Sequence, residues 1–213
     1  MTGIDGSKFQ SITRSRIAAA FLHYRRVEVA GDEYPEFTRA AVLVPLLERN
    51  DGISVLLTLR TKEVETHKGQ ISLPGGVRDI SDVDAIHTAL RETEEELGIG
   101  RTNVEILGLL DDLATPTRFV ITPVVGYLMK EPHIVPSETE VAEVIEVPLS
   151  FFADEKNGRW EMMERDRVTT RRRPDTNRDS GEQVKVWFFQ RGEYLIWGAT
   201  AMMLRNLIEI LDC

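Results

Sequence analysis

At 213 residues with 42% hydrophobic residues, the chain can bury one good core, and its longest apolar runs fall far short of the ~18 residues of a membrane span. A net charge of −9 and a pI near 5.1 give no global field to attract nucleic acid or an anionic membrane, so an anionic substrate has to be met locally. Its one cysteine, Cys213, excludes an internal disulfide and suits a reducing, cytoplasmic compartment.

Residues 1–7 are polar and contain glycine. From 8 to 26, Phe9, Ile12, Ile17, Ala20, Phe21 and Tyr24 recur at helical spacing, predicting a helix that packs on the domain or on a second subunit of a homodimer. Residues 31–37, with Pro35, read as a linker, which divides the chain into a partly helical N-terminal extension (1–37) and one domain (38–213). Residues 39–47 and 53–60 are rich in Val, Ile and Leu, and Asp51-Gly52 between them is a hairpin signal, so the two should pair. Residues 61–68 are charged and irregular, leading through 69–72 into a turn at Pro74-Gly75-Gly76.

After that turn the pattern predicts a helix. Ser81, followed by Asp82 and Asp84, offers N-cap chemistry and negative charge at the positive end of the dipole, and Gly98 is a natural C-cap. At about 100° per residue, Ile86, Ala89, Leu90, Thr93 and Leu97 make one stripe that faces a core. With Glu92 at zero, Glu96 lies about 40° to one side and Glu95 about 60° to the other, so three carboxylates share an arc while Glu94 points elsewhere. Negative charge opposes the dipole here, and Glu92 and Glu96 repel one turn apart. A divalent cation would compensate such a cluster; a solvated acidic helix end is the plainer alternative.

Further on, 104–113 and 119–129 read as strands around 114–117, and Pro123 in the second argues for an edge or a bulge. Residues 131–137 form a loop. Residues 140–148 alternate as a half-buried strand does, and 149–154 suggest a short helix. Residues 160–165 and 184–190 read as hairpin arms around a polar loop, 169–181, whose Arg171-Arg172-Arg173 run is read as solvated. Residues 196–211 form an amphipathic helix with an ordinary core stripe. The order of elements suggests α+β or a mixed-sheet sandwich. His23, His67, His87 and Cys213 have no metal-ligand spacing, and the sequence has neither a Gly-x-Ser-x-Gly nor a Walker loop.

Gly76, with Arg91-Glu92-Thr93-Glu94-Glu95-Glu96-Leu97-Gly98-Ile99, resembles the Nudix box, whose run is Arg-Glu-aliphatic-x-Glu-Glu-x-Gly-aliphatic. Thr93 stands at the aliphatic position, and fourteen residues separate Gly76 from Arg91, one more than in the pattern. Counted from Gly76 the box's first acidic residue is Asp82, and counted back from Arg91 it is Val83; Asp82 is taken, with one residue inserted after it. Leu56-Leu57-Thr58-Leu59-Arg60 and His67-Lys68-Gly69-Gln70-Ile71-Ser72-Leu73-Pro74-Gly75-Gly76 are similar to the upstream motif of the coenzyme A diphosphatase branch, as is Ile196-Trp197-Gly198-Ala199-Thr200-Ala201 further on.

The resemblance implies a Nudix α/β/α sandwich with a mixed β-sheet. It implies that Glu92, Glu95 and Glu96, with the Gly75 carbonyl, hold Mg²⁺ or Mn²⁺, and that Arg91 orients the catalytic carboxylates. A further carboxylate is expected from a distant loop, with Glu140 the best match and Glu143 its rival; both also read as surface charges. Arg60, Lys68 and Arg78 flank the site in sequence and could neutralise the phosphates of a small-molecule nucleotide substrate. The branch implies coenzyme A or a derivative, cleaved to 4′-phosphopantetheine and adenosine 3′,5′-bisphosphate. Glu65 stands where that branch typically has arginine, and Thr61 and Leu73 also depart from it. A diphosphatase for another nucleoside diphosphate conjugate, or a binding module without turnover, therefore stays open.

Overall fold

The computed structural model describes residues 6–61, 69–164 and 183–213. Strands β1 (Thr38–Arg49) and β2 (Gly52–Arg60) form the hairpin that Asp51-Gly52 signals, with Arg49 opposite Gly52. Along β1, side chains alternate strictly in destination. Ala41, Leu43 and Leu47 enter one apolar cluster, and Val44 and Leu46 enter another on the opposite face. The first cluster is covered by α2 (Ala85–Leu97) through Ala89 and Leu97. The second is covered by α3 (Leu149–Ala153) and α4 (Gly198–Asp212) through Leu149, Phe152, Leu204, Leu207 and Ile208. This is an α/β/α sandwich around a mixed sheet.

Among the described residues the sheet has eight strands, ordered β3 (Ile71–Ser72), β2, β1, β7 (Phe119–Leu128) and β5 (Val104–Leu109). In addition, β4 (Gly75–Val77) pairs with β1, β6 (Leu113–Ala114) with β7, and β8 (Val141–Pro148) with β2. A three-stranded antiparallel sheet, β9 (Gly158–Glu164), β10 (Gln183–Arg191) and β11 (Tyr194–Trp197), adds Phe189 and Ile196 to the core that α3 and α4 cover. Among the described residues no helix is long and apolar enough to cross a membrane.

Several expectations from the sequence are corrected here. The helix expected over 8–26 is a 3-10 turn (Gly6–Phe9) followed by α1 (Arg14–His23), with Thr13 capping the Arg16 N–H. Phe9, Ile12 and Ile17 bury in the same cluster as Val44 and Leu46. The single strand expected over 104–113 breaks into β5 and β6. Pro123 does not mark an edge: β7 runs between parallel β1 and antiparallel β5 and β6. Its carbonyl accepts from the Leu110 N–H, between the last β5 pair (Leu109 opposite Val124) and the first β6 pair (Leu113 opposite Ile121). The N–H that proline lacks therefore falls where the neighbour changes from one strand to the next. Ile196 and Trp197 belong to β11, and Gly198, at φ +64°, turns the chain into α4. The loop expected over 169–181, with Arg171–Arg173, lies outside the described residues.

Candidate active site

The site forms where the sheet forks. β1 pairs with β2 only from Leu46 to Arg49; beyond that, β4 takes the place beside β1, with Gly76 opposite Ala41 and Gly75 opposite Val42. Meanwhile β2 continues against β3 and β8. The expected Pro-Gly-Gly turn is thus a short strand, wedged into the fork and anchored by the Leu43 N–H donating to the Pro74 carbonyl at 2.8 Å. Glycine matters at both positions, for different reasons. Gly75 sits at φ +152° with Ala41 and Val42 backbone against it, and a Cβ on Gly76 would collide with the Glu92 carboxylate.

Above this strand α2 is capped by Asp84, which accepts from the His87 N–H at 2.8 Å, and by Gly98 in the left-handed region at φ 69°. Ser81, the expected cap, instead donates to Asp79. Thr93, at the Nudix box's aliphatic position, buries because its hydroxyl donates to the Ala89 carbonyl at 2.7 Å. Glu94 points to the surface beside Arg101.

Asp82 is the anchor of the loop before α2. Its side chain is fully buried and takes both prongs of Arg91, at 3.1 and 2.9 Å. His87 Nδ1 at 2.7 Å, the Thr88 hydroxyl at 2.9 Å and the Asp79 N–H at 2.9 Å complete its shell. The Arg91 guanidinium holds this carboxyl well below the usual carboxylate range. Arg91 also donates to Glu92 at 2.8 Å, Glu95 at 3.2 Å and the Val77 carbonyl at 3.1 Å. The partner of the box arginine is therefore Asp82; Val83 is 76% exposed. Thr88 went unremarked in the sequence and His87 was weighed only as a metal ligand, although both sit in the first turn after the cap, where they can reach back to an acid just before the helix.

Glu96 lies deepest, its side chain 4% exposed, with Oε2 accepting from the Gly75 N–H at 3.2 Å and Oε1 facing Arg60 Nη1 at 3.5 Å. Burial pushes its carboxyl up to about 7 against the pull of Arg60 and the Gly75 N–H, and the charges of Glu140 and Glu92 add to the rise. Glu92 is also raised, by burial first, with Arg91 opposing and Glu95 and Glu140 reinforcing. Glu95 is the most exposed of the three.

Glu140 thus belongs to the same electrostatic cluster. The Ser137 and Val135 N–H groups cap the Glu96 and Leu97 carbonyls at 2.9 Å, and the Thr61 N–H donates to the Glu140 carbonyl at 3.0 Å. Its rival Glu143 instead accepts from the Tyr194 hydroxyl at 2.7 Å. Arg78 directs its guanidinium at the Asp82 and Val83 carbonyls, at 3.1 and 3.0 Å, holding the loop rather than facing the carboxylates. Lys68, with Glu65 and His67, lies outside the described residues.

Among the described residues no three acidic or histidine side chains are gathered into a ready-made cage. The donor set nevertheless fits Mg²⁺ or Mn²⁺. It is all oxygen, and two of its carboxylates are held with incomplete neutralisation against a strand stripped of side chains at Gly75 and Gly76. Mg²⁺ keeps several waters and takes one or two carboxylates plus substrate phosphates, so a full cage is not needed.

Residues 37–188 match the NUDIX domain family. The chain is 38% identical over 169 residues to a protein of Citrobacter koseri named uncharacterized Nudix hydrolase NudL, covering 79% of this chain and 80% of that one. The protein of the same name in Escherichia coli K12 is 36% identical over the same shares. Solved structures of similar fold include a Caenorhabditis elegans Ap4A hydrolase binary complex, at TM-score 0.45 and 22% identity over 53% of this chain and 80% of that one. The NUDIX domain of Shewanella oneidensis NrtR complexed with ADP ribose matches at TM-score 0.41 and 19% identity, over 65% and 85%.

Proposed function

This chain belongs to the Nudix hydrolase family, and we propose that it hydrolyses the diphosphate linkage of coenzyme A or a derivative to 4′-phosphopantetheine and adenosine 3′,5′-bisphosphate. The observation that carries the reading is the placement of Arg60. The Leu56-to-Arg60 stretch that resembles the coenzyme A branch is the second half of β2 and ends with Arg60 beside one oxygen of Glu96, whose other oxygen accepts from the Gly75 N–H.

Water adds its oxygen to one phosphorus as the bridging P–O bond breaks, and the bridging oxygen leaves on the other phosphate. Glu92, Glu95, Glu96 and the Gly75 carbonyl are the residues that would hold Mg²⁺ or Mn²⁺, with Glu140 completing the set. Such an ion supplies, when bound, charge neutralisation for the diphosphate and a more acidic water. Arg91, tied down by Asp82, keeps Glu92 and Glu95 aimed, and Glu140, where it is not a metal ligand, is the carboxylate that would take the water's proton. Arg60 meets phosphate oxygens; Arg78 contributes by shaping the loop it pins.

A second reading is a diphosphatase for another nucleoside diphosphate conjugate, favoured by Glu65 at the position where the branch has arginine. Incubating the protein and Mg²⁺ with coenzyme A, ADP-ribose, NADH, dinucleoside polyphosphates and nucleoside triphosphates, then weighing the products by mass spectrometry, separates the two. Coenzyme A should lead. If position 65 has lost a contact to the 3′-phosphate, Glu65→Arg raises kcat/KM for coenzyme A over dephospho-coenzyme A by up to ~10-fold, the worth of one charge-assisted hydrogen bond. Turnover of ADP-ribose or NADH well ahead of coenzyme A would shift the assignment to the second reading.

A further inference from the structure

We infer that Arg60 and the divalent cation are alternative partners of one carboxylate, Glu96, so that metal binding releases Arg60 toward the phosphates of the substrate. The inference rests on the Nudix hydrolase reading of the site and deepens it by coupling the two ligands.

The backbone around Arg60 is held on both sides. The Arg60 N–H donates to the Gln70 carbonyl at 3.0 Å, and the residue pairs with Val141 of β8 after a register shift between Leu59 and Arg60. On β2, Leu56 enters the cluster that α2 covers while Leu57 enters the opposite one, and Arg60 shares the face of Leu56 to reach α2. What it makes there is incomplete. A single Nη1 approaches Glu96 Oε1 at 3.5 Å, and the buried Arg60 Nε has no hydrogen-bond partner among the described residues.

The same protein shows what a finished arginine–carboxylate pair looks like. Arg91 grips Asp82 with two prongs at 3.1 and 2.9 Å, and Arg49 grips Glu146 at 2.8 and 2.7 Å. Two-pronged geometry is what makes such pairs strong, and a buried donor without an acceptor is unfavourable. Arg60 therefore stands in an arrangement that the two oxygens of a phosphate would complete and that Glu96 does not. A divalent ion bound through Glu96 would repel the guanidinium from the same oxygens. By linkage, whatever draws Arg60 away tightens metal binding by the same factor.

The test is Mn²⁺ binding to the full chain without substrate, followed by the electron paramagnetic resonance of the free ion. Arg60→Gln should bind Mn²⁺ about tenfold tighter than wild type, the scale on which one neighbouring charge shifts a carboxylate's affinity for a cation. KM for the preferred diphosphate should rise in the same variant. If Arg60 instead supports Glu96 in its liganding position, Mn²⁺ binding will weaken or stay the same, and the competition is refuted. Should Arg60→Gln not fold, Arg60→Met decides: it keeps the apolar stem and removes the charge, so Mn²⁺ again binds tighter, and an unchanged or weaker affinity overturns the proposal. Absence of turnover on every diphosphate would sink the hydrolase reading while the Mn²⁺ titration still judged the competition.

Discussion

Glu96 occupies a poor place for a free carboxylate: near a helix C-terminus, buried, one turn from Glu92, and met by one N–H and one distant guanidinium. Glu96→Gln should lower kcat by at least ~100-fold with the fold intact, the scale for losing one preorganised charged group. Undiminished turnover, or turnover in EDTA, would refute the mechanism. Stability should respond to pH in a way set by the same burial. The folded-state pKa, about 7, lies above the ordinary glutamate value of 4.5, so the native protein binds the proton more tightly than the unfolded chain. Without metal, the stability that this group contributes is fully present below that lower value and is lost as pH rises through about 7. Urea unfolding in EDTA across this window should show the decline, and Glu96→Gln should flatten it; an equal slope in the variant would assign the effect to another group. At this scale the sequence was informative about α2, because three carboxylates at helical offsets are visible without a fold. It favoured Glu140 over Glu143 only by position, since both lie in an alternating acidic stretch; the hydroxyl of Tyr194, 51 residues away, is what occupies Glu143.

The short strand β4 shows how an element can be read correctly as to residues and wrongly as to form. Pro-Gly-Gly is local turn chemistry, but the open slot beside β1, left where β2 turns away, converts it to extended structure through pairings more than thirty residues distant. The same override moved β11 out of the expected C-terminal helix, because Ile196 pairs with Phe189 of β10. At the start of α2, several capping residues compete within four positions, and only tertiary packing selects Asp84 after Asp82 has been taken by Arg91. The two glycines of β4 should separate in experiment. On Gly75 a Cβ meets the backbone of Ala41 and Val42 at a φ unfavourable for L-residues, so Gly75→Ala should cost about 2 kcal/mol or more in urea unfolding. On Gly76 it meets only the end of the Glu92 side chain, so Gly76→Ala should cost under ~1 kcal/mol in stability yet lose most activity by displacing that carboxylate. Similar stability losses in both would show that the Glu92 carboxylate cannot move.

Over the whole molecule, residues before β1 behave as part of the sandwich. Phe9, Ile12 and Ile17 bury in the cluster shared with β1, β2, α3 and α4. The following segment is strapped to the β5–β6 connection: Tyr24 and the Val27 N–H donate to Asp111, and Arg26, the Val29 N–H and the Thr122 hydroxyl donate to Asp112. Helical periodicity announced the apolar residues, but the strap is a long-range match between two acids and backbone N–H groups, invisible to any local pattern. Ile17→Ala should therefore cost ~2–4 kcal/mol, as for a fully buried aliphatic side chain, with activity per folded molecule unchanged. A chain starting at residue 38 should do worse. It uncovers the core where these side chains sat and leaves Asp112, whose carboxylate is 2% exposed, without Arg26, and breaking a buried ion pair alone costs about 3–5 kcal/mol. Set against a typical domain stability of about 5–15 kcal/mol, the combined loss predicts a truncated protein with no cooperative urea transition. A truncated chain that unfolds cooperatively with a near-native midpoint would show instead that residues 38–213 fold alone and that the N-terminal segment is a dispensable cover.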